Sequence, residues 1–274
     1  MKISASKNDL LNAINIVMKA VPAKTTMSIL YNILFDATVD TIKLTGNDME
    51  LGIETVLDGT IEERGMVALN AKFFSEIIRR LPESEVHIET DPATFDTTIT
   101  CETAVFHISG QDGTEFTPLP AIDREEPVRL NQFQLRELIR QTIFSIAPAD
   151  ANRTMTGELL EIHDNELRMV ALDGHRIAIR ILNLNASYED RKVIIPGKTL
   201  NEIMKIVSGE IDDPVNIFFT PTQVLFEMER TIVTSRLIEG NYIRIDQMMR
   251  DSNYKAEVTV QKDRLMSSVD RAVL

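Results

Sequence analysis

Asp173 and His175 stand two residues apart in the run Leu172-Asp173-Gly174-His175-Arg176-Ile177. An aspartate that orients an imidazole is the start of a hydrolytic site, so one alternative is a hydrolase built on this region. The other parts of such a site are missing. The chain has no Gly-x-Ser-x-Gly elbow, and Cys101 lies in a strand-like run with no base beside it. His87, His107, His163 and His175 are scattered singly, without the H-x₃₋₅-H spacing that holds a metal. No G-x-x-x-x-G-K-[ST] loop offers a phosphate cradle. Side chains two apart at a strand end share a face for geometric reasons alone. The expectation is a protein with no catalytic residues, no metal and no cofactor, and therefore not an enzyme.

A different chemistry recurs. In Ala71–Arg80, Lys72, Glu76 and Ile77 are followed 126 residues later by Lys198, Glu202 and Ile203. Phe74, Ile78 and Leu81 fall in the same way on Leu200, Met204 and Val207. Both copies put apolar residues at i, i+3, i+4 and i+7, one face of a helix, and Lys or Arg on the other. Leu10, Ile14 and Met18 return 125 residues on as Leu135, Ile139 and Ile143, and these helices end before Pro22 and Pro148. A third such helix spans 262–274. All five predicted helices are net positive inside a chain of net charge −13 and pI about 4.8. Gathered on one face, they would meet phosphates without reading bases, and acidic outer surfaces would repel nucleic acid elsewhere. A repeat scaffold that binds only protein, the other alternative, would lack that shared basic face.

The elements that must position these helices are mostly strands. Ser6 reads as an N-cap with Asp9 three residues on. The first repeat predicts strands at 2–4, 32–38, 41–44, 50–57, 66–69, 85–89, 95–100 and 103–109, with a turn at Gly46-Asn47-Asp48. The second predicts strands at 127–130, 159–163, 167–172, 176–182, 192–195, 214–219, 223–228 and 231–237, with Asp173-Gly174 at its turn. Residues 111–126 and 239–253 read as linkers, and 254–260 as one further strand. Phe73 and Phe74 are expected in the core, and Gly46 and Gly174 in turns. The fold class is α+β: tandem duplicated domains, each with two helices on one face of antiparallel sheets. The domains are expected at 1–120 and 127–250, with 254–274 beginning a third, so the chain reads as a piece of something longer. It has one cysteine, which suits a reducing cytoplasm, and no run near the ~18 apolar residues of a membrane helix.

Five stretches carry a resemblance: Ser28-Ile29-Leu30, Leu44-Thr45-Gly46-Asn47-Asp48-Met49-Glu50, Ala71-Lys72-Phe73-Phe74, Leu172-Asp173-Gly174-His175-Arg176-Ile177 and Leu237-Ile238-Glu239-Gly240-Asn241-Tyr242. Together they resemble the bacterial DNA sliding clamp family, the beta subunit of the replicative polymerase. The resemblance implies a head-to-tail homodimer of three-domain chains, closed round duplex DNA as a processivity factor with the helices lining the hole. It implies DNA-facing roles for Lys24, Arg79, Arg140, Arg153, Lys198 and Lys205. It also implies a cleft for short peptide motifs of polymerase, clamp loader and repair proteins, formed by Met155, Leu172, Gly174, His175, Arg176, Ile177, Ile243 and Met248. Where the family usually has Pro-Asp after the aromatic at Tyr242, this chain has Ile243-Arg244. Phe106 and Ile108 would form half of the dimer contact, and Ala272, Val273 and Leu274 would begin the other half.

Overall fold

The computed structural model describes residues 1–148, 152–245 and 255–273. It divides into a large unit, Met1–Gly240, and a small one, Asn241–Leu274.

Four helices of the large unit arise from local signals. Helix α1 (Lys7–Val17) is capped by Ser6, whose Oγ accepts the Asp9 N–H at 3.1 Å. In α2 (Ala71–Arg80) the cap is Asn70, accepting from Phe73 N–H at 3.1 Å. Helix α3 (Gln132–Arg140) opens with a full capping box: Asn131 accepts from Gln134 N–H, and the Gln134 side chain accepts from Asn131 N–H. Helix α4 (Gly197–Ile203) has no side-chain cap and is the shortest. Leu10, Ile14 and Val17, then Phe74 and Ile78, Leu135 and Ile139, and Leu200 and Ile203 are all buried, as their spacing requires.

One sheet receives these stripes. Strands β1 (Lys2–Ser6), β2 (Asn32–Asp36), β3 (Ile42–Asn47), β4 (Leu51–Leu57), β5 (Thr60–Glu63), β6 (Met66–Asn70), β7 (Glu85–Thr90), β8 (Asp96–Cys101), β9 (Ala104–Ser109) and β10 (Gln111–Asp112) come from the first repeat. The second gives β11 (Val128–Asn131), β12 (Gly157–Leu172), β13 (Ile177–Pro196), β14 (Pro214–Phe219), β15 (Gln223–Met228) and β16 (Thr231–Arg236). Strands of both repeats form a nine-stranded antiparallel sheet, ordered β10-β6-β2-β3-β4-β16-β15-β14-β11. The seam is β4 against β16, with Ile53 opposite Val233.

Alternation along these strands sends two sets of side chains to opposite faces. Ile33, Gly46, Ile53, Val233, Phe226, Ile217 and Val128 share one face across the sheet. The apolar members of that row and the buried stripes of all four helices belong to one core. Phe35 of β2 meets Phe74 of α2 edge to face, with centroids 5.0 Å apart. The core also takes the inner side chains of a five-stranded sheet, β5-β1-β7-β8-β9, and of the two-stranded ribbon β12-β13. On the other face of the long sheet lie Phe218 and Leu225, packed with Ile122. The predicted linker thus runs over that face. Thr117 O accepts the Asn47 amide at 3.1 Å, and Arg124 pairs with Glu227 at 2.8 Å.

Several expectations need correction. The four strands expected between 159 and 195 are two long ones. His163–Glu166 is exposed, so alternation stops there although the ribbon continues through a bulge at Asp164 (φ 51°). The first-repeat turn is Asp48-Met49-Glu50, because Gly46 and Asn47 belong to β3. Gly46 serves packing: a Cβ there would run into the Val17 carbonyl. Gly174 does sit in a turn, at φ 86°. Phe73 is 66% exposed rather than core. Strand β5 was hidden because Thr60-Ile61-Glu62-Glu63 has one apolar residue and lies at a sheet edge. In the small unit, residues 255–260 form no strand, and Tyr254 lies outside the described residues. Its helix α5 (Lys262–Ala272) exposes Leu265, Met266 and Val269.

Candidate functional site

The faces that the helices leave uncovered are mostly polar or basic, with Phe73 of α2 and Phe133 of α3 also exposed. Helix α1 exposes Asn8, Asp9, Asn12 and Asn15, while the Lys19 ammonium donates to Asn15 O at 2.8 Å. Helix α2 exposes Lys72, Arg79 and Arg80. Both arginines reach Glu76, at 3.0 and 3.3 Å. On α3, Arg140 grips Glu137 with two donors at 2.7 and 2.6 Å. Those bonds, with one from Gln141, hold the Glu137 carboxyl down to about 2. Beyond α4, Lys205 donates to Glu202 at 2.8 Å.

Two further cations pair across the repeats. Lys198, at the start of α4, meets Asp48, and Arg153 meets Glu50 at 3.1 Å. Lys24 is exposed in the segment after α1. All six sequence-derived phosphate contacts therefore reach solvent, and five of them hold a carboxylate. The carboxylate partners range from the exposed side chain of Glu50 to the buried side chain of Asp48, and exposed ion pairs are worth about 0–1 kcal/mol.

Beside Lys198 and Arg153 opens a cleft of 1010 Å³. Phe144, Ile146, Pro148, Leu237 and Ile238 give it an apolar wall. Arg176 sits at its rim, its guanidinium carbon 5.8 Å from the Phe144 ring centroid. Such a mixture of apolar surface and a few fixed polar groups suits capture of a short peptide. Arg176 is held by Asp173. One Asp173 oxygen accepts the backbone N–H of His175 (3.0 Å) and Arg176 (3.1 Å), and the other accepts Arg176 Nε (2.9 Å). The His175 N–H, then burial opposing it, then the Arg176 bonds leave this carboxyl below the usual aspartate range. Asp173 is therefore occupied in building a turn and fixing an arginine, and takes the His175 backbone rather than its ring.

Of the eight cleft residues expected, Arg176 lines this cavity. Gly174 and His175 are exposed on the turn, Leu172 is buried at the end of β12, and Ile177 is half-buried at the start of β13. Met155 is half-buried, and its carbonyl accepts the Ala147 N–H at 2.9 Å. Ile243 belongs to the small unit, and Met248 lies outside the described residues. Phe144, Ile146, Leu237 and Ile238 were missed. The first two could have been found as apolar residues continuing past the α3 stripe up to Pro148.

Phe106 and Ile108 lie on β9, an edge of the five-stranded sheet. Phe106 is 38% and the neighbouring Val105 53% exposed, an apolar edge with unpaired backbone groups. In the small unit Ala272 ends α5 and Val273 is exposed, whereas Leu274 lies outside the described residues. Among the described residues no three His, Cys, Asp or Glu side chains are grouped to hold a metal, and no helix is long and apolar enough to cross a membrane.

Comparison with known proteins places the chain beside DNA polymerase beta subunits. The family model for the DNA polymerase III beta subunit, N-terminal domain, matches residues 1–120, and that for its central domain matches 129–243. A beta sliding clamp of Staphylococcus epidermidis is 35% identical over 282 residues, covering 100% of this chain and 74% of the relative. A crystal structure of a DNA polymerase III beta subunit from Eubacterium rectale aligns with a TM-score of 0.96 at 55% identity, covering 100% of this chain and 74% of that one. The DNA polymerase sliding clamp of Bacillus subtilis aligns with a TM-score of 0.96 at 33% identity and the same coverage.

Proposed function

Because the chain belongs to the family of the DNA polymerase III beta subunit, the bacterial sliding clamp, and is a replicative processivity factor, we propose how its surfaces divide that work. The helix face meets duplex DNA without sequence preference, through Lys24, Arg79, Arg140, Arg153, Lys198 and Lys205. The observation that supports this reading is the single core that takes the buried stripes of all four helices on one side of the nine-stranded sheet. Their basic residues are thereby left exposed together. Weak contacts to phosphates, all but that of Lys24 already balanced by a carboxylate, allow sliding because no position on the duplex is preferred.

The cleft beside Arg176 takes short peptide segments of polymerase, clamp loader and repair proteins, and so tethers them to DNA. Phe144, Ile146, Leu237 and Ile238 supply its apolar floor, with Met155, Leu172, Gly174, His175 and Ile177 around the turn. The protein acts in the cytoplasm and catalyses nothing itself. Its domains are 1–120 and 127–250, with 254–274 opening a third. The β9 edge with Phe106 and Ile108 is half of a contact between two copies when the full ring assembles, and Ala272–Leu274 belong to the other half.

The test is salt-dependent binding of a labelled duplex, read by anisotropy. Two unrelated sequences of equal length should bind alike. Lys198→Glu with Lys205→Glu should flatten the plot of log affinity against log salt by about 2, near 0.9 per lost phosphate contact. An unchanged slope would remove these lysines from the DNA face.

A further inference from the structure

Glu158 is fully buried on β12, yet it has no role in the surfaces described above. Opposite it on β13 is Ile195. The ionisable side chains on the surrounding elements are engaged elsewhere. Glu137 pairs with Arg140, Glu202 with Lys205, Lys198 with Asp48, Arg153 with Glu50, and Glu161 with Arg168 and Lys192. Arg136 lies against Gly209. What Glu158 does touch is Thr142, just past the end of α3.

That contact can be settled by counting protons. Thr142 Oγ1 is 2.6 Å from Glu158 Oε2 and 2.8 Å from the carbonyl oxygen of Leu138. A hydroxyl has one proton to give, and a carbonyl oxygen can only accept. The Thr142 N–H goes to Ile139 O at 3.0 Å, so the hydroxyl is what serves Leu138 at the fraying helix end. The second short contact then needs a proton from the carboxyl. Among the described residues Glu158 Oε1 has no partner, and neither does Ser145 Oγ on the adjoining turn. A bare carboxylate oxygen in such a site is strongly disfavoured, and a neutral carboxyl far less so.

We propose that Glu158 is a positioning residue, kept as the neutral acid, whose proton is donated to Thr142 and thereby fixes the turn Ile143–Ser145 that walls the cleft. An ionised carboxyl can only accept, so the Thr142 hydroxyl turns to it, Leu138 O loses its donor and the turn is loosened. Phe144 is carried by that turn, and with it the ring beneath Arg176. Burial raises the Glu158 carboxyl to about 8. The neutral acid thus stabilises the fold in full below the ordinary value of 4.5, and this is lost as pH rises through 8. The proposal concerns the wall itself and stands whatever the cleft binds.

Two measurements test it. With glutamate labelled at the side-chain carboxyl carbon, one NMR resonance should titrate near pH 8 and be absent from Glu158→Gln. The chain contains no tryptophan, so Phe144→Trp gives a single fluorescent reporter on the turn. Its emission should shift with the same midpoint in the Glu158 protein and stay flat when Glu158→Gln is added, since the amide donates to Thr142 at every pH. If every glutamate titrates below about pH 5.5, or if the indole reporter gives the same pH profile with and without Glu158, the proposal is overturned. Should Glu158→Gln fail to fold, the wild-type titration decides alone.

Discussion

The turn after β3 and the turn after β12 are one device used for two purposes. In Asp48-Met49-Glu50-Leu51, the Asp48 carboxylate accepts the N–H of Glu50 at 3.0 Å and of Leu51 at 2.7 Å. In Asp173-Gly174-His175-Arg176, 125 residues on, Asp173 accepts the same two N–H groups at 3.0 and 3.1 Å. The residue after each aspartate is left-handed, Met49 at φ 75° and Gly174 at φ 86°. The difference is where the second carboxylate oxygen goes. Asp48 reaches Lys198 and ties the first repeat to the second. Asp173 reaches its own Arg176 and aims it at the cleft. A turn committed to joining the repeats is not free to bind, and a duplicated fold can use one copy for each task.

The sharpest way to break this comparison is through the glycines. Gly46→Ala would push a methyl into the Val17 carbonyl and should cost about 2–3 kcal/mol of unfolding free energy. Gly174→Ala meets nothing within 4 Å and pays only for its positive φ, about 1 kcal/mol. Equal losses in chemical denaturation would refute the different roles given to them. Met49→Gly should run the other way and stabilise by about 1 kcal/mol, since a side chain is disfavoured at φ 75°. A smaller and more specific contrast comes from Asp48→Asn and Asp173→Asn, which keep the turn-building oxygen and lose the charge. Asp48→Asn should cost about 0.5–1 kcal/mol at low salt and less at high salt. Asp173→Asn should leave the melting temperature nearly unchanged and weaken binding of a labelled polymerase-derived peptide several-fold. Smallest is the acid limb: the Asp173 carboxyl is lowered, so its contribution is present above the ordinary aspartate value of 3.8 and fades as pH falls below it. Asp173→Asn should remove that component from an acid titration.

The parts legible in the sequence were those fixed by short-range signals. The helix cap at Ser6, the buried stripes and the strands 214–236 need only neighbours along the chain. The seam between β4 and β16, the packed course of 113–126 and the ribbon running past the core depend on residues far apart in the chain, and no local pattern encodes them. Phe73 read as core because it sits beside Phe74, but one step round a helix is 100°, enough to carry it into solvent. Glu158 was invisible for a related reason: an isolated glutamate in a strand looks like a surface residue until the helix end that covers it is in place. The cleft was half legible. Arg176 came from the resemblance, whereas its apolar wall joins residues about 90 apart in the chain, Phe144 and Leu237.

The account rests on the helices presenting their cations on one face of the long sheet, and a paired charge reversal addresses that directly. Arg140→Glu with Lys205→Glu changes the helix side. Lys43→Glu with Arg124→Glu changes net charge by the same amount on the opposite side, where these residues pair with Glu54 and Glu227. Duplex affinity measured by anisotropy over a salt series should fall for the first pair, with its slope reduced by about 2, and stay near wild type for the second. Equal losses for both pairs would mean that the duplex responds to overall charge rather than to a helix face, and would contradict the account.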